Sequence, residues 1–242
     1  MIPECVRLQQ EIFSTSDIDT FPSSFYFMLV RKELPLGMLL GCFKNEKLIG
    51  MATGITGPQN NSMYIPFAGI IKEYQNTSIG FRLISELKNK AFSKGINCIY
   101  GIFDPLEARL GKLYSSMNAI FTEYITEPYT LIEGNDTVDK LVFQCYNKQE
   151  DKISCFNKVS FRQIIDKYPI VCETGVLCKE FLIEIPLNYS LLKNENPLSA
   201  LEWRKKSREL FTHYINNNKY VVKKCLNGMY EGTKRIFYLL EK

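Results

Sequence analysis

The sequence predicts a mixed α/β fold, and three observations carry that expectation. Apolar runs rich in branched and aromatic residues recur along the chain at strand length. Between several of them lie stretches with helical spacing of apolar residues. Other strands are joined by turns of only a few residues, the sign of hairpins. Helical crossovers favour parallel neighbours and hairpins force antiparallel ones, so the sheet is expected to be mixed rather than purely parallel.

In chain order, residues 1–15 read as a helix, with Val6, Leu8, Ile12 and Phe13 giving a loose apolar stripe. Pro22 precedes a second short helix over 25–31. Strand-like runs at 38–43 and 47–55 flank the turn Lys44-Asn45-Glu46, a hairpin signal. Residues 57–61 (Gly-Pro-Gln-Asn-Asn) read as a loop, and 63–71 as a third strand.

The period then changes. Ile79, Leu83, Ile84, Leu87 and Ala91 recur at helical spacing, and Gly95 stops that helix. Strands follow at 96–103, 119–124 and 141–146, with a helix over about 105–118 between the first two. Residues 147–160 are polar and read as a junction. Beyond it come a strand at 181–185, a helix over 198–215, and strands at 220–225 and 235–240 joined by Asn227-Gly228. The expected organisation is one domain over 1–147 and a C-terminal β-α-β-β extension over 148–242, packing on the first sheet or completing it.

Composition narrows the function classes. With 45% apolar and 23% charged residues the 242-residue chain can bury a sizeable core. A net charge of +4 suits an anionic ligand but not nucleic acid, which calls for a strongly basic face. The basic run at Arg204, Lys205, Lys206 and Arg208 reads as a solvated helix face. Its other readings are a site for an anionic phosphate, an acyl carrier protein or an acidic peptide. The eight cysteines contain no CxxC pair and several sit in apolar runs, so reduced thiols and a cytoplasmic setting are expected, with no metal site. No apolar run reaches membrane-spanning length.

One local pattern carries chemistry. A strand ending near Ile71 passes through a short polar turn into the helix that opens at Ser78, Ile79 and Gly80. A helix start offers unpaired N–H groups and a positive dipole end, which suits phosphate. Gly80 permits close approach, Thr77 or Ser78 can cap or donate a hydroxyl, and Gln75 adds an amide donor. The alternative is an ordinary capped helix start.

The stretch from Gly69 to Gly80, with Gln75-Asn76-Thr77-Ser78-Ile79-Gly80 at its end, resembles the Arg/Gln-x-x-Gly-x-Gly/Ala signature of the Gcn5-related N-acetyltransferase (GNAT) superfamily. Leu113-Tyr114-Ser115-Ser116-Met117-Asn118-Ala119 is similar to that family's Leu-Tyr-x-x-Leu-Gly-Phe, and the two stand in family order. Phe103-Asp104-Pro105-Leu106, Glu184-Ile185-Pro186 and the run from Leu201 to Phe211 resemble a less characterised branch, some of whose members acylate peptides with fatty chains. Ser78 stands at the first signature glycine, Lys72 at the usual proline and Asn118 at the glycine after the tyrosine. Tyr64 and Pro66 occupy a region where the branch tends to carry histidines.

The resemblance implies a GNAT fold with a mostly antiparallel central sheet flanked by helices. It implies an acyl-CoA donor, with coenzyme A held by Gln75, Asn76, Thr77, Ser78, Ile79 and Gly80. Ala68, Gly69 and Ile70 would lie along the pantetheine arm and supply an oxyanion donor. The expected reaction moves an acyl group, acetyl to fatty acyl, from a coenzyme A or carrier-protein thioester to a primary amine, small-molecule or peptide-borne, without an acyl-enzyme. Tyr114 is the candidate acid toward sulfur, or else a packing tyrosine. Asp104 is the candidate to accept the amine proton or hold the substrate ammonium, or else a helix cap. The competing function is a non-catalytic module that binds coenzyme A or a peptide.

Overall fold

The structure is a computed structural model, which describes residues 2–13, 20–31, 36–57, 61–127, 138–147 and 160–242. It divides into two compact units, Met1–Gly101 and Ile102–Lys242. The expected junction at 147–160 lies almost wholly outside the described residues.

The first unit begins with helices α1 (Ile2–Phe13) and α2 (Ser23–Val30), and its strands are β1 (Gly37–Lys44), β2 (Lys47–Thr56), β3 (Ser62–Ile70) and the start of β4 (Cys98–Phe103). Helix α3 (Ile79–Ser93) connects β3 to β4. The strands lie in the order β1-β2-β3-β4. The first two pairings are antiparallel, and β3 pairs with β4 in parallel. The hairpin between β1 and β2 turns at Asn45 and Glu46, both at positive φ (46° and 64°), the geometry whose twist matches paired strands. Strand β2 is buried at every position from Leu48 to Gly54. Side chains alternate between faces, so both of its faces are covered. Leu8 of α1, Tyr26 of α2, Ile49 and Met51 of β2 and Phe67 of β3 share one apolar cluster. Within it the Tyr26 hydroxyl donates to Gln9 Oε1. Gly95, at φ 87°, ends α3 as expected.

The second unit takes the end of β4, helix α4 (Ala108–Ser116), strands β5 (Ile120–Ile125) and β6 (Lys140–Tyr146), helix α5 (Phe161–Lys167) and strand β7 (Glu180–Ile185). Helices α6 (Tyr189–Glu195) and α7 (Pro197–Phe211), a π-helical turn (Thr212–Asn217), β8 (Val221–Tyr230) and β9 (Thr233–Glu241) complete it. Its strands run β6-β5-β8-β9-β7, and β5–β6, β5–β8, β8–β9 and β7–β9 are antiparallel. Strand β8 therefore joins residues beyond 160 to the sheet that contains β5. The core is aromatic: Phe103, Tyr114, Phe121, Phe143, Phe211 and Tyr238 are all buried.

The C-terminal region differs from the expected β-α-β-β. Among the described residues it carries three α-helices, and Asn227-Gly228 is not the turn. Those residues lie inside β8, opposite Ile236 and Arg235, and the turn falls at Glu231 and Gly232 (φ 48° and 76°). The reason is packing, since a Cβ on Gly228 would stand 2.2 Å from Cδ1 of Phe161. The glycine serves a ring crossing the strand rather than a reversal of the chain.

Candidate functional site

In the first unit the turn is built as the local sequence requires. After β3 a 3-10 turn (Lys72–Tyr74) leads to Gln75, whose Nε2 donates to the Ile70 carbonyl at 3.0 Å. The amide that sequence reading assigned to a ligand thus anchors the turn to the end of its strand. Asn76 takes a left-handed φ of 61°, a conformation asparagine tolerates better than most residues. Thr77 Oγ1 donates to the Tyr74 carbonyl at 2.7 Å and accepts from the Ile79 N–H at 3.3 Å. Ser78 precedes α3 without making a side-chain cap.

The first helical hydrogen bond runs from the Arg82 N–H to the Ser78 carbonyl at 3.0 Å. Among the described residues the N–H groups of Gly80 and Phe81 have no acceptor, as a helix start requires. Gln75, Asn76, Thr77 and Ser78 are exposed and Gly80 is half-buried. A Cβ built on Gly80 would meet only Ile70 Cγ1, at 3.9 Å, so the space above the turn is open.

Two departures from the family pattern are conformationally harmless. Ser78 has φ −72°, a value any L-residue adopts, so the glycine of the signature is not needed for backbone shape there. Asn118 has φ 62° and occupies the left-handed position after α4 that a glycine commonly fills.

Strand β3 pairs with β4 only where Ser62, Met63 and Tyr64 face Cys98, Ile99 and Tyr100. At Ala68, Gly69 and Ile70 its partners are Ala52, Met51 and Gly50 of β2. The rings of Tyr64 and Tyr100 face each other at 5.4 Å where the parallel pairing ends, and burial raises the Tyr100 pKa. Phe67 and Phe103 are buried core residues.

In the second unit Asp104 is held tightly. Its Oδ1 accepts from the Leu106 N–H and from Arg204 Nη1, both at 2.9 Å, and its Oδ2 accepts from Arg204 Nη2 at 2.5 Å. The side chains of Arg204 and Asp104 are 7% and 14% exposed. Burial works against the charge of Arg204, but the hydrogen bonds and charge of Asp104 outweigh it and raise its pKa. The guanidinium also lies 4.8 Å from the centre of the Tyr189 ring.

One helical turn later Arg208 binds Asp139 through Nε and Nη2, at 3.0 and 2.9 Å, and Glu127 through Nη1 at 2.6 Å. Asp139 is fully buried and also accepts from the Tyr124 hydroxyl at 2.6 Å. Burial first, and that hydrogen bond second, push the Tyr124 pKa upward. The basic run is therefore not one solvated face: Lys205 and Lys206 are exposed, while Arg204 and Arg208 point to carboxylates. Their four-residue spacing, which places both on one helix face, was the available signal.

Tyr114 is buried, stacked on Phe143 at 3.8 Å and 15° and lying 5.2 Å from Phe103. Asp104 and Tyr114 thus each have defined partners inside their own unit, and the exposed turn is a separate feature of the first. Among the described residues no group of three or more His, Cys, Asp or Glu side chains could hold a metal ion. No helix among them is long and apolar enough to cross a membrane.

Residues 2–117 match the family model described as "Acetyltransferase (GNAT) family". The match spans 116 of the 242 residues, and the likeness it carries is to a GNAT acetyltransferase domain. Solved structures agree on the fold. The chain is 12% identical to the ribosomal-protein-S18-alanine N-acetyltransferase of Escherichia coli, with a TM-score of 0.51 over 66% of this chain and 93% of that one. It is 17% identical to a GNAT-family acetyltransferase of Streptococcus pneumoniae, TM-score 0.50, over 60% and 93%. A putative acetyltransferase of Salmonella typhimurium, solved with its cofactor acetyl-CoA, is 13% identical with a TM-score of 0.50 over 62% and 91%. Among curated protein sequences there is no match. The mixed, mostly antiparallel sheet with flanking helices is the GNAT fold, as the sequence resemblance implied.

Proposed function

We propose that this chain is an N-acyltransferase that moves an acyl group from a coenzyme A or carrier-protein thioester to a primary amine. The observation that carries the reading is the turn at 75–80. It presents helix-start N–H groups, an exposed approach and the open space over Gly80 in a family-matched domain. Such a turn suits the pyrophosphate of a coenzyme A donor. The edge of β3 beyond Tyr64, on the side away from β2, would take the pantetheine arm like an added strand.

In the reaction the amine nitrogen attacks the thioester carbonyl, a C–N bond forms, the C–S bond breaks, and the proton lost by nitrogen balances the one gained by thiolate. A backbone N–H near Ala68, Gly69 and Ile70 would stabilise the oxyanion. Tyr114 is the proposed proton donor, and Asp104 the group that holds the acceptor end. Donors from acetyl to fatty acyl, and acceptors including lysine- or ornithine-type side chains of peptides, fall within the proposal.

The test is thiol release from acetyl-, octanoyl- and palmitoyl-coenzyme A with and without amines, run beside Gly80→Val. We expect amine-dependent release, and donor binding at least about tenfold weaker in the variant with an unchanged melting temperature. Equal binding by Gly80→Val would remove the turn from the site. The stacked, buried ring of Tyr114 and the closed Asp104–Arg204 pair favour a second reading, a module that binds coenzyme A or a peptide without catalysis. Tight donor binding with no amine-dependent thiol release is its signature.

A further inference from the structure

An open depression of about 470 Å³ lies in the second unit, where β5 and β8 part. The two strands meet at the pair Phe121 and Val222. Each carries a register shift beside that pair, β5 between Phe121 and Glu123 and β8 between Val222 and Lys224. Such bulges bend and twist a strand, which separates the two edges beyond the paired position. Thr122 and Glu123 line one side of the opening, Tyr220 and Val221 the other, and the π-helical turn closes it with Ile215 and Asn216. π-helical turns and bulges both recur at functional sites.

The polar liners fall into two groups. Asn216 is engaged: its Oδ1 accepts from the Tyr124 N–H at 3.0 Å and its Nδ2 donates to the Tyr124 carbonyl at 2.7 Å. Tyr220 is engaged too, its hydroxyl donating to the Cys178 carbonyl at 2.6 Å. Thr122, Glu123 and Lys219 are different. Their side chains make no hydrogen bond or ion pair among the described residues, and Glu123 and Lys219 are not within ion-pair distance of each other. The backbone fixes Lys219 at the rim in a left-handed φ of 61°. On either side of it, the Asn218 N–H donates to the His213 carbonyl at 3.1 Å and the Tyr220 N–H to the Tyr214 carbonyl at 2.9 Å.

An unpaired carboxylate and an unpaired ammonium, both exposed, and a hydroxyl thus face one depression whose apolar wall is the half-buried Val221, since Ile215 is only 1% exposed. A ligand that satisfies all of them carries both charges itself and has an apolar side. We propose that this depression binds a free α-amino acid with an aliphatic side chain. Its ammonium meets Glu123, its carboxylate meets Lys219 and the Thr122 hydroxyl, and its side chain lies along Val221. The volume is within the range of small-molecule sites, and two partly solvated charges place the affinity in the millimolar range. This site is independent of acyl transfer and stands or falls without it.

The test uses the full chain and ligand-observed NMR with three probes: L-leucine, L-leucinamide and N-acetyl-L-leucine, each up to about 10 mM. L-Leucine is expected to bind, with each singly charged analogue at least about tenfold weaker. Glu123→Gln and Lys219→Met should each weaken L-leucine by a similar factor. Lys219→Met should leave L-leucinamide as in the parent, because that probe has no carboxylate to lose. Thermal unfolding of both variants, at exposed positions, verifies that they remain folded. No L-leucine binding at the highest concentration, equal binding of all three probes, or binding unchanged by both substitutions would overturn the proposal.

Discussion

Replacing Arg204 with methionine isolates a buried ion pair of the second unit. The substitution keeps most of the apolar stem but leaves the Asp104 carboxylate, 14% exposed, without its two-pronged partner. Removing one member of a buried ion pair typically costs about 3–5 kcal/mol. Asp104 keeps the Leu106 N–H at 2.9 Å and some water contact, which argues for the lower end of that range. Loss of the contact with the Tyr189 ring adds about 0.5–1 kcal/mol. A net cost of about 3–4 kcal/mol corresponds, in a chain of this size, to a fall in melting temperature of roughly 6–16 °C. Differential scanning calorimetry at pH 7 measures it. The double variant with Asp104→Asn removes the orphaned charge as well, so it should regain at least about 1 kcal/mol. A fall of less than about 2 °C in the single variant, or strict additivity in the cycle, would refute the view that this pair is a closed and desolvated contact.

Other predictions follow from the same contacts. Tyr114→Phe should lower turnover at least about tenfold with little change in donor affinity, measured by steady-state thiol release; equal turnover would take its hydroxyl out of the chemistry. Gly228→Ala should destabilise by about 1–3 kcal/mol in chemical unfolding, because its methyl would meet the Phe161 ring. Burial raises the Cys225 thiol pKa from 9.0 to about 12, so between those values the unfolded chain has lost a proton that the folded chain retains. Stability from this group is therefore present below pH 9 and lost as pH rises toward 12. Urea titrations of Cys225→Ala should show an alkaline slope shallower by up to about 1.4 kcal/mol per pH unit. In the parent, a thiol reagent at pH 8 should modify the exposed Cys172 at once and reach the buried Cys145 and Cys225 only on unfolding.

Much of the first unit was legible because its signals are local. The hairpin at Asn45 and Glu46, the helical period from Ile79 to Ala91 and the stop at Gly95 depend on residues a few positions apart, and each formed where the sequence placed it. The turn at 75–80 was legible for the same reason, although not the task of Gln75, whose amide is drawn to the free carbonyl at the strand end. The C-terminal region was harder because its decisions are made across long separations. Asn227-Gly228 has the composition of a turn, yet Phe161 claims that glycine from 67 positions away, and the chain reverses at Glu231 instead. The basic run on α7 resembled a solvated face because nothing near it in sequence shows that Asp104 and Asp139, 100 and 69 positions away, stand opposite Arg204 and Arg208. Asn196 followed by Pro197 marks the start of α7, the asparagine accepting the Ser199 N–H at 3.1 Å.

The side-chain amide of Asn216 imitates a peptide group, offering Tyr124 one acceptor and one donor as a neighbouring strand would. That imitation depends on neutrality. Hydrolysis of the amide to a carboxylate would keep the acceptor, abolish the donor and set a negative charge against the Tyr124 carbonyl oxygen. An ageing sample would therefore carry its history at one position: a one-dalton gain in mass at residue 216 should appear together with a loosened end of β5, read as faster amide exchange at Tyr124.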